Sequence, residues 1–256
     1  MTNVSTELLI ALFLITAGLS YFKALSGLGA AGLLVPIYVW FGLPINEAKA
    51  YGLFANATSL SGATFDNFRS GRIDLKLGLP IIASSVLFAP VGAYISLFIP
   101  REVMMALFAA FLLYVGVNAL RPKSQQSGNG CSEDRHPKLP HLLGIGTAAG
   151  LFSGLLGVGG GGVIAPLMLW MGCEAKKVAV VTALAVPFSS ITGFVSYAIT
   201  GHASWLYLVV IGSAATIAGY AGNKTMHGFL PERVVKYLVG IVSLLFAMKI
   251  ISDIVG

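Results

Sequence analysis

Ten apolar stretches in succession are what most restricts the folds open to this chain. They fall at roughly 5–22, 24–43, 48–66, 77–99, 102–120, 141–157, 158–175, 178–200, 204–223 and 234–254. A helix of about 20 residues crosses a hydrocarbon core, so stretches of this length read as membrane segments. The charge content agrees. Of 256 residues, 56% are hydrophobic and only 10% charged, against about 25% charged in a soluble domain, so the chain cannot clothe a globule with polar surface. The expected fold class is an all-α polytopic membrane protein with about ten transmembrane segments. The first stretch is expected to remain as a span, because "MTNVSTE" has no basic region and no small-residue cleavage site follows. Arg121 to His141 is the one long polar stretch, rich in Ser, Gly, Pro and charge. It reads as a flexible linker, 121–140, between an N-terminal repeat, 1–120, and a C-terminal repeat, 141–256.

The two halves match each other. Gly27-Leu28-Gly29-Ala30-Ala31-Gly32 fits G-x-G-x-x-G, and so does Gly157-Val158-Gly159-Gly160-Gly161-Gly162. Pro36 pairs with Pro166, Trp40 with Trp170, Gly42 with Gly172 and, after a one-residue slip, Ser59 with Ser190. "FIPREV" before segment 5 returns as "FLPERV" before segment 10. Five crossings per copy is an odd number, so the second copy enters from the opposite face and the repeats are inverted. Inverted repeats with Gly- or Pro-interrupted segments at matching positions mark secondary transporters, whose substrate binds between the broken helices. Segments 2 and 7 are those segments.

G-x-G-x-x-G is also the dinucleotide fingerprint, but that reading needs a soluble βαβ unit. Here both copies lie between membrane spans, and Lys177 stands in the second where Glu47 stands in the first. What the glycines can do is unwind a helix and leave backbone N–H groups at a helix start, which suits an anion. Irregular backbone at membrane depth is tolerated only inside protein or beside a wet cavity. The candidate site glycines are therefore Gly27, Gly29, Gly32, Gly157, Gly159, Gly160, Gly161 and Gly162. Gly146, Gly150 and Gly154, four apart on segment 6, read instead as a helix-packing face.

Polar groups follow each glycine motif: Asn56, Thr58, Ser59, Ser61 and Thr64 on segment 3, and Thr182, Ser189, Ser190 and Thr192 on segment 8. Asn56, Ser59, Thr182 and Ser190 are the candidate ligand donors, since hydroxyls and amides hold an oxyanion without a fixed charge. Interhelical hydrogen bonding is the competing role. Acidic residues fall at or near segment ends, so no proton relay is expected; Asp66 reads as a helix end and Lys23 as a snorkelling interfacial lysine. The four histidines are scattered and make no i, i+4 pair, so neither a metal site nor a cofactor is expected. No catalytic group and no structural disulfide between Cys131 and Cys173 is expected. Trp40, Trp170 and Trp205 mark the interfaces.

Lys and Arg gather on the cytoplasmic side of membrane proteins. With the N-terminus outside and the linker in the cytoplasm, only Lys49, Arg101 and Lys249 of the sixteen basic residues fall outside. The net charge of +6 is thereby explained by orientation, with no nucleic-acid partner.

"LSGLGAAGLLVPIYVWFGLPINEAKAYGLFANATSLSGATF" (25–65) and "GLFSGLLGVGGGGVIAPLMLWMGCEAKKVAVVTALAVPFSSITGFVSY" (150–197) resemble the TauE/SafE family, the sulfite exporter or toluenesulfonate uptake permeases. The second copy carries the resemblance more strongly; the first has Ala30 and Ala31 in place of glycines. The resemblance implies a bacterial inner-membrane permease for a small anion, a sulfur oxyanion or organosulfonate such as sulfite, working by alternating access. Its partners would be that anion and the lipid bilayer, with homo-oligomerisation left open. A passive anion channel is the alternative, and a membrane-embedded enzyme a more distant one.

Overall fold

The structure is a computed structural model describing residues 6–26, 31–71, 73–120, 138–226 and 232–255. Gly27, Gly29, most of the 121–140 linker and Cys131 lie outside the described residues, as do the side chains of Lys23 and Asp66. Every described element is helical: α1 (Thr6–Ser26), α2 (Ala31–Trp40), α3 (Ile45–Arg69), α4 (Leu75–Ser96), α5 (Arg101–Leu120), α6 (Leu139–Leu156), α7 (Gly161–Trp170), α8 (Ala175–Ile199), α9 (Trp205–Met226) and α10 (Glu232–Val255). Five of them are long and apolar enough to cross a membrane. The protein is a multi-pass helical membrane protein. Its outer faces carry exposed Leu79, Leu87, Val91 and Tyr94 on α4, and Ile191, Val195 and Ile199 on α8, as lipid contact requires.

The helices at segments 2 and 7 are short. At 10 residues each they span about 15 Å at 1.5 Å per residue, half of a hydrocarbon core of about 30 Å. Each holds a proline at the same place, Pro36 and Pro166, which removes an N–H from the helix interior. Segment 7 nevertheless runs the length of its neighbour. Gly157, at the end of α6, lies beside Lys49 and Gly52 of α3, whereas Ile164, Ala165 and Met168 of α7 pack with Leu142 and Ile145 at the start of α6. An irregular stretch at 157–160 therefore supplies the first part of the return and α7 the second.

Helix pairing repeats between the halves. α4 packs on α6 and α9 on α1; α4 also packs on α8, and α9 on α3. α2 lies on α3 as α7 lies on α8, while α3 meets α8 and α5 meets α10. The α3–α8 pair is antiparallel. Thr64 Oγ1 donates to the Ala183 carbonyl at 2.7 Å, and further along the rings of Phe54 and Phe194 lie 5.0 Å apart. That carbonyl is the one Pro187 leaves without its helical donor, so Thr64 repairs a break its partner helix makes.

Glycines set the closest approach. A Cβ on Gly150 would stand 2.5 Å from the Ser85 carbonyl oxygen, and Cβ atoms on Gly146 and Gly154 would strike Ser84 Oγ and the Ala89 carbonyl oxygen. The packing face read from their spacing is where α6 meets α4. Trp170 and Trp205 are 85% and 79% exposed at helix ends, as depth markers should be. Trp40 is drawn into packing instead, stacked on Phe246 at 5.1 Å with Lys249 Nζ 5.4 Å from its ring. Cys173 is disulfide-bonded, which corrects the expectation of no disulfide. Pairing depends on whether the fold brings sulfurs together, which the sequence alone does not show.

Candidate functional site

The glycine run between α6 and α7 is buried at residues 157–160. α6 ends at Gly157, whose N–H reaches the Ser153 carbonyl at 2.8 Å, and both Gly157 and Gly159 have φ of +71°. This left-handed region is open to glycine and strained for other residues. Gly160 caps α7 without any side-chain hydrogen bond, and its carbonyl takes the amides of Val163 and Ile164. The amides of Gly161 and Gly162 are thus the first-turn donors that a helix cannot satisfy itself. They sit at the positive end of the α7 dipole.

Three of the expected polar residues converge on this run. A Cβ at Gly159 would lie 3.1 Å from Ser190 Oγ and 3.2 Å from Asn56 Nδ2; one at Gly161 would lie 3.2 Å from the Thr182 methyl. Asn56, Thr182 and Ser190 are all buried. Among the described residues, Thr182 Oγ1 and Ser190 Oγ have no hydrogen-bond partner. Buried hydroxyls in that condition are uncommon and call for an explanation, such as a ligand. Ser59 is placed differently: its Oγ donates to the Asn56 carbonyl of its own helix at 3.3 Å, and its backbone packs on Gly219 of α9.

The two broken helices meet at one ring. A Cβ on Gly32 would be 2.9 Å from Phe111 Cε1, and one on Gly162 would be 2.6 Å from Phe111 Cζ. Phe111 of α5 is thus wedged between the starts of α2 and α7. Sequence reasoning missed it, since one Phe in an apolar helix carries no signal.

Lys49 was missed for a different reason: it falls at a segment's end and reads as an interfacial residue. In the structure it is 1% exposed. Its Nζ donates to Ser96 Oγ at 3.0 Å and to Asn46 Oδ1 at 3.4 Å. Ser96 and Tyr197 share a hydrogen bond of 2.5 Å, and Tyr197 Oη donates onward to the Gly154 carbonyl at 2.8 Å. Ser96 closes α4, so the ammonium sits at the negative end of a helix dipole. Among the described residues no group of three or more His, Cys, Asp or Glu could hold a metal.

This arrangement can hold a small anion through neutral donors. The profile of the family described as "Sulfite exporter TauE/SafE" matches residues 10–250. "Probable membrane transporter protein YdhB" of Bacillus subtilis is 26% identical, covering 82% of this chain and 86% of its own length. "Probable membrane transporter protein MJ0441" of Methanocaldococcus jannaschii is 27% identical over 72% of this chain and 70% of its own. "Sulfite exporter TauE/SafE family protein 6" of Arabidopsis thaliana is 27% identical over 54% of this chain and 33% of its own. No solved structure matches significantly.

Proposed function

The chain belongs to the sulfite exporter TauE/SafE family of membrane transporters, and from that premise we propose that it is a secondary transporter of a small sulfur oxyanion or organosulfonate. The observation that carries this reading is the pair of buried hydroxyls on α8, Thr182 and Ser190, lacking partners among the described residues, with Ser190 Oγ against Gly159 and the Thr182 methyl against Gly161 at the uncapped start of α7. An anion there would accept from the Gly161 and Gly162 amides, from both hydroxyls and from the Asn56 amide. These donors are themselves neutral, so binding stays weak enough for release.

Alternating access would come from ten segments in two inverted repeats, rocking about the broken helices. The exchange of helix pairings between the halves, the antiparallel α3–α8 pair and the convergence of Gly32 and Gly162 on Phe111 support this. Sulfite, thiosulfate, sulfate, a sulfonate and a carboxylate, each added to the purified protein during thermal unfolding, test the reading. A ligand bound only by the folded state stabilises it by about 2.7 kcal/mol at a hundred times its Kd. Stabilisation by a sulfur anion is the expected result; folded protein indifferent to all five overturns it. In liposomes, saturable and counter-stimulated flux marks a carrier, and flux without exchange marks a channel.

We place the protein in a bacterial inner membrane with the end bearing Arg69, Lys76, Lys138 and Lys177 in the cytoplasm, by the positive-inside tendency. The Cys173 disulfide pulls the other way, because disulfides persist in oxidising compartments. Several basic helix ends outweigh one bond, since the charge bias acts during insertion. An Arg69→Cys variant should resist an impermeant maleimide applied to whole cells and react once the membrane is opened; labelling in intact cells would reverse the orientation.

A further inference from the structure

A buried ammonium whose described partners are all neutral is costly. Removing a charge from water costs several kcal/mol unless strong partners compensate, and an ionisable side chain within the membrane is a functional candidate by default. Lys49 has Ser96 Oγ and Asn46 Oδ1. An ammonium carries three donors, so among the described residues one is left for a ligand.

Its position connects it to the glycine run. A Cβ on Gly157 would lie 2.7 Å from both Cα and Cβ of Lys49, and one on Gly52 would lie 2.9 Å from the Gly157 carbonyl oxygen. Lys49, Gly52 and Asn56 recur at helical spacing, so they share one face of α3. Asn46, one turn before Lys49, is half-buried. Asn46, Lys49 and Asn56 therefore lie along one face of α3, with Gly52 between them packed on Val35 and Gly157, and with Asn56 beside Gly159. Under the pairing of the halves the counterpart of Lys49 on α8 is Ala179, so this buried lysine is not repeated in the second half.

Resting on the anion-carrier reading above, we propose that Lys49 is a second station for the transported anion. Its ammonium holds the oxyanion by a charge-assisted hydrogen bond on the α3-starting side of the glycine run, and the Asn56–Ser190–Thr182 set holds it within.

The test is sulfite titrated against thermal unfolding of wild type, Lys49→Met and Lys49→Arg. Methionine fills the volume without a charge and so removes the cost of keeping one out of water. The expected result is an unchanged or raised melting temperature for K49M without ligand, with the apparent Kd for sulfite raised at least tenfold; K49R should stay within about threefold of wild type. A merely structural lysine gives the opposite pattern, a lowered melting temperature with the same sulfite affinity, and that overturns the proposal. If K49M yields no folded protein, Lys49→Gln takes its place under the same criteria. A wild type that ignores every anion removes the carrier reading and this station together, whereas a responsive wild type matched by K49M removes the station alone.

Discussion

Gly154→Val should leave almost no folded protein to extract from the membrane. The Cβ of any residue at 154 would strike the Ala89 carbonyl oxygen and come within 2.6 Å of the Ala93 amide nitrogen. Both are main-chain atoms of α4 and cannot swing aside as a side chain would. The helices would have to part along a seam where Gly146 and Gly150 also touch α4, and where Gly92 of α4 touches the Leu151 carbonyl in return. Overpacking a core costs about 1–3 kcal/mol when side chains can adjust, and occasionally more. With backbone on both sides the cost should exceed that range, against a total stability of about 5–15 kcal/mol for a typical protein. Gly144→Ala on the same helix is the control, since nothing lies within 4 Å of its added Cβ. Size-exclusion of a fluorescent fusion in detergent should show a wild-type peak for G144A and aggregate or nothing for G154V. A monodisperse G154V peak at wild-type yield would mean that α4 and α6 do not pack through this seam.

That seam was legible in the sequence because a four-residue spacing is local and its consequence is geometric. The broken segments were legible for a related reason: glycine and proline act on the backbone where they stand, and the internal match showed the same punctuation twice. Their reach was less so. The apolar run at 158–175 continues through the break without a change in hydropathy, so only the structure separates an irregular start at 157–160 from a helix beginning at Gly161. Asn56, Thr182 and Ser190 could be nominated from their place after the glycine motifs, yet the same logic nominated Ser59, which packs on α9. Spacing assigns a residue to a helix face, and only the neighbouring helices decide what that face meets. Lys49 and Phe111 depend wholly on long-range placement, one buried by the ends of α4 and α8, the other held between two half-helices from different halves of the chain.

Gly161→Ala should yield stable protein that transports at least tenfold more slowly. Gly161 is the first residue of α7 and is not among the glycines with positive φ, so alanine brings no backbone strain there. Its methyl would stand 3.2 Å from the Thr182 methyl and from Val186 Cγ2, which needs a shift of a few tenths of an ångström. Alanine is favoured over glycine in a helix by about 1 kcal/mol, which offsets that crowding, and the melting temperature should stay near wild type. The methyl, however, occupies space between the first turn of α7 and the Thr182 and Val186 side chains of α8, where the anion would sit. Loss of about 1.4 kcal/mol of binding already means a tenfold weaker site. Gly159→Ala should lose transport as well, but with a lowered melting temperature, because φ of +71° strains an L-residue by about 1–3 kcal/mol. The contrast is what identifies the site: two neighbouring methyls, both blocking the anion, only one of them burdening the fold. Sulfite counterflow into liposomes, read beside unfolding temperatures, measures both. If G161A carries sulfite at the wild-type rate, the start of α7 is not where the anion binds, and the buried Thr182 and Ser190 hydroxyls need another explanation.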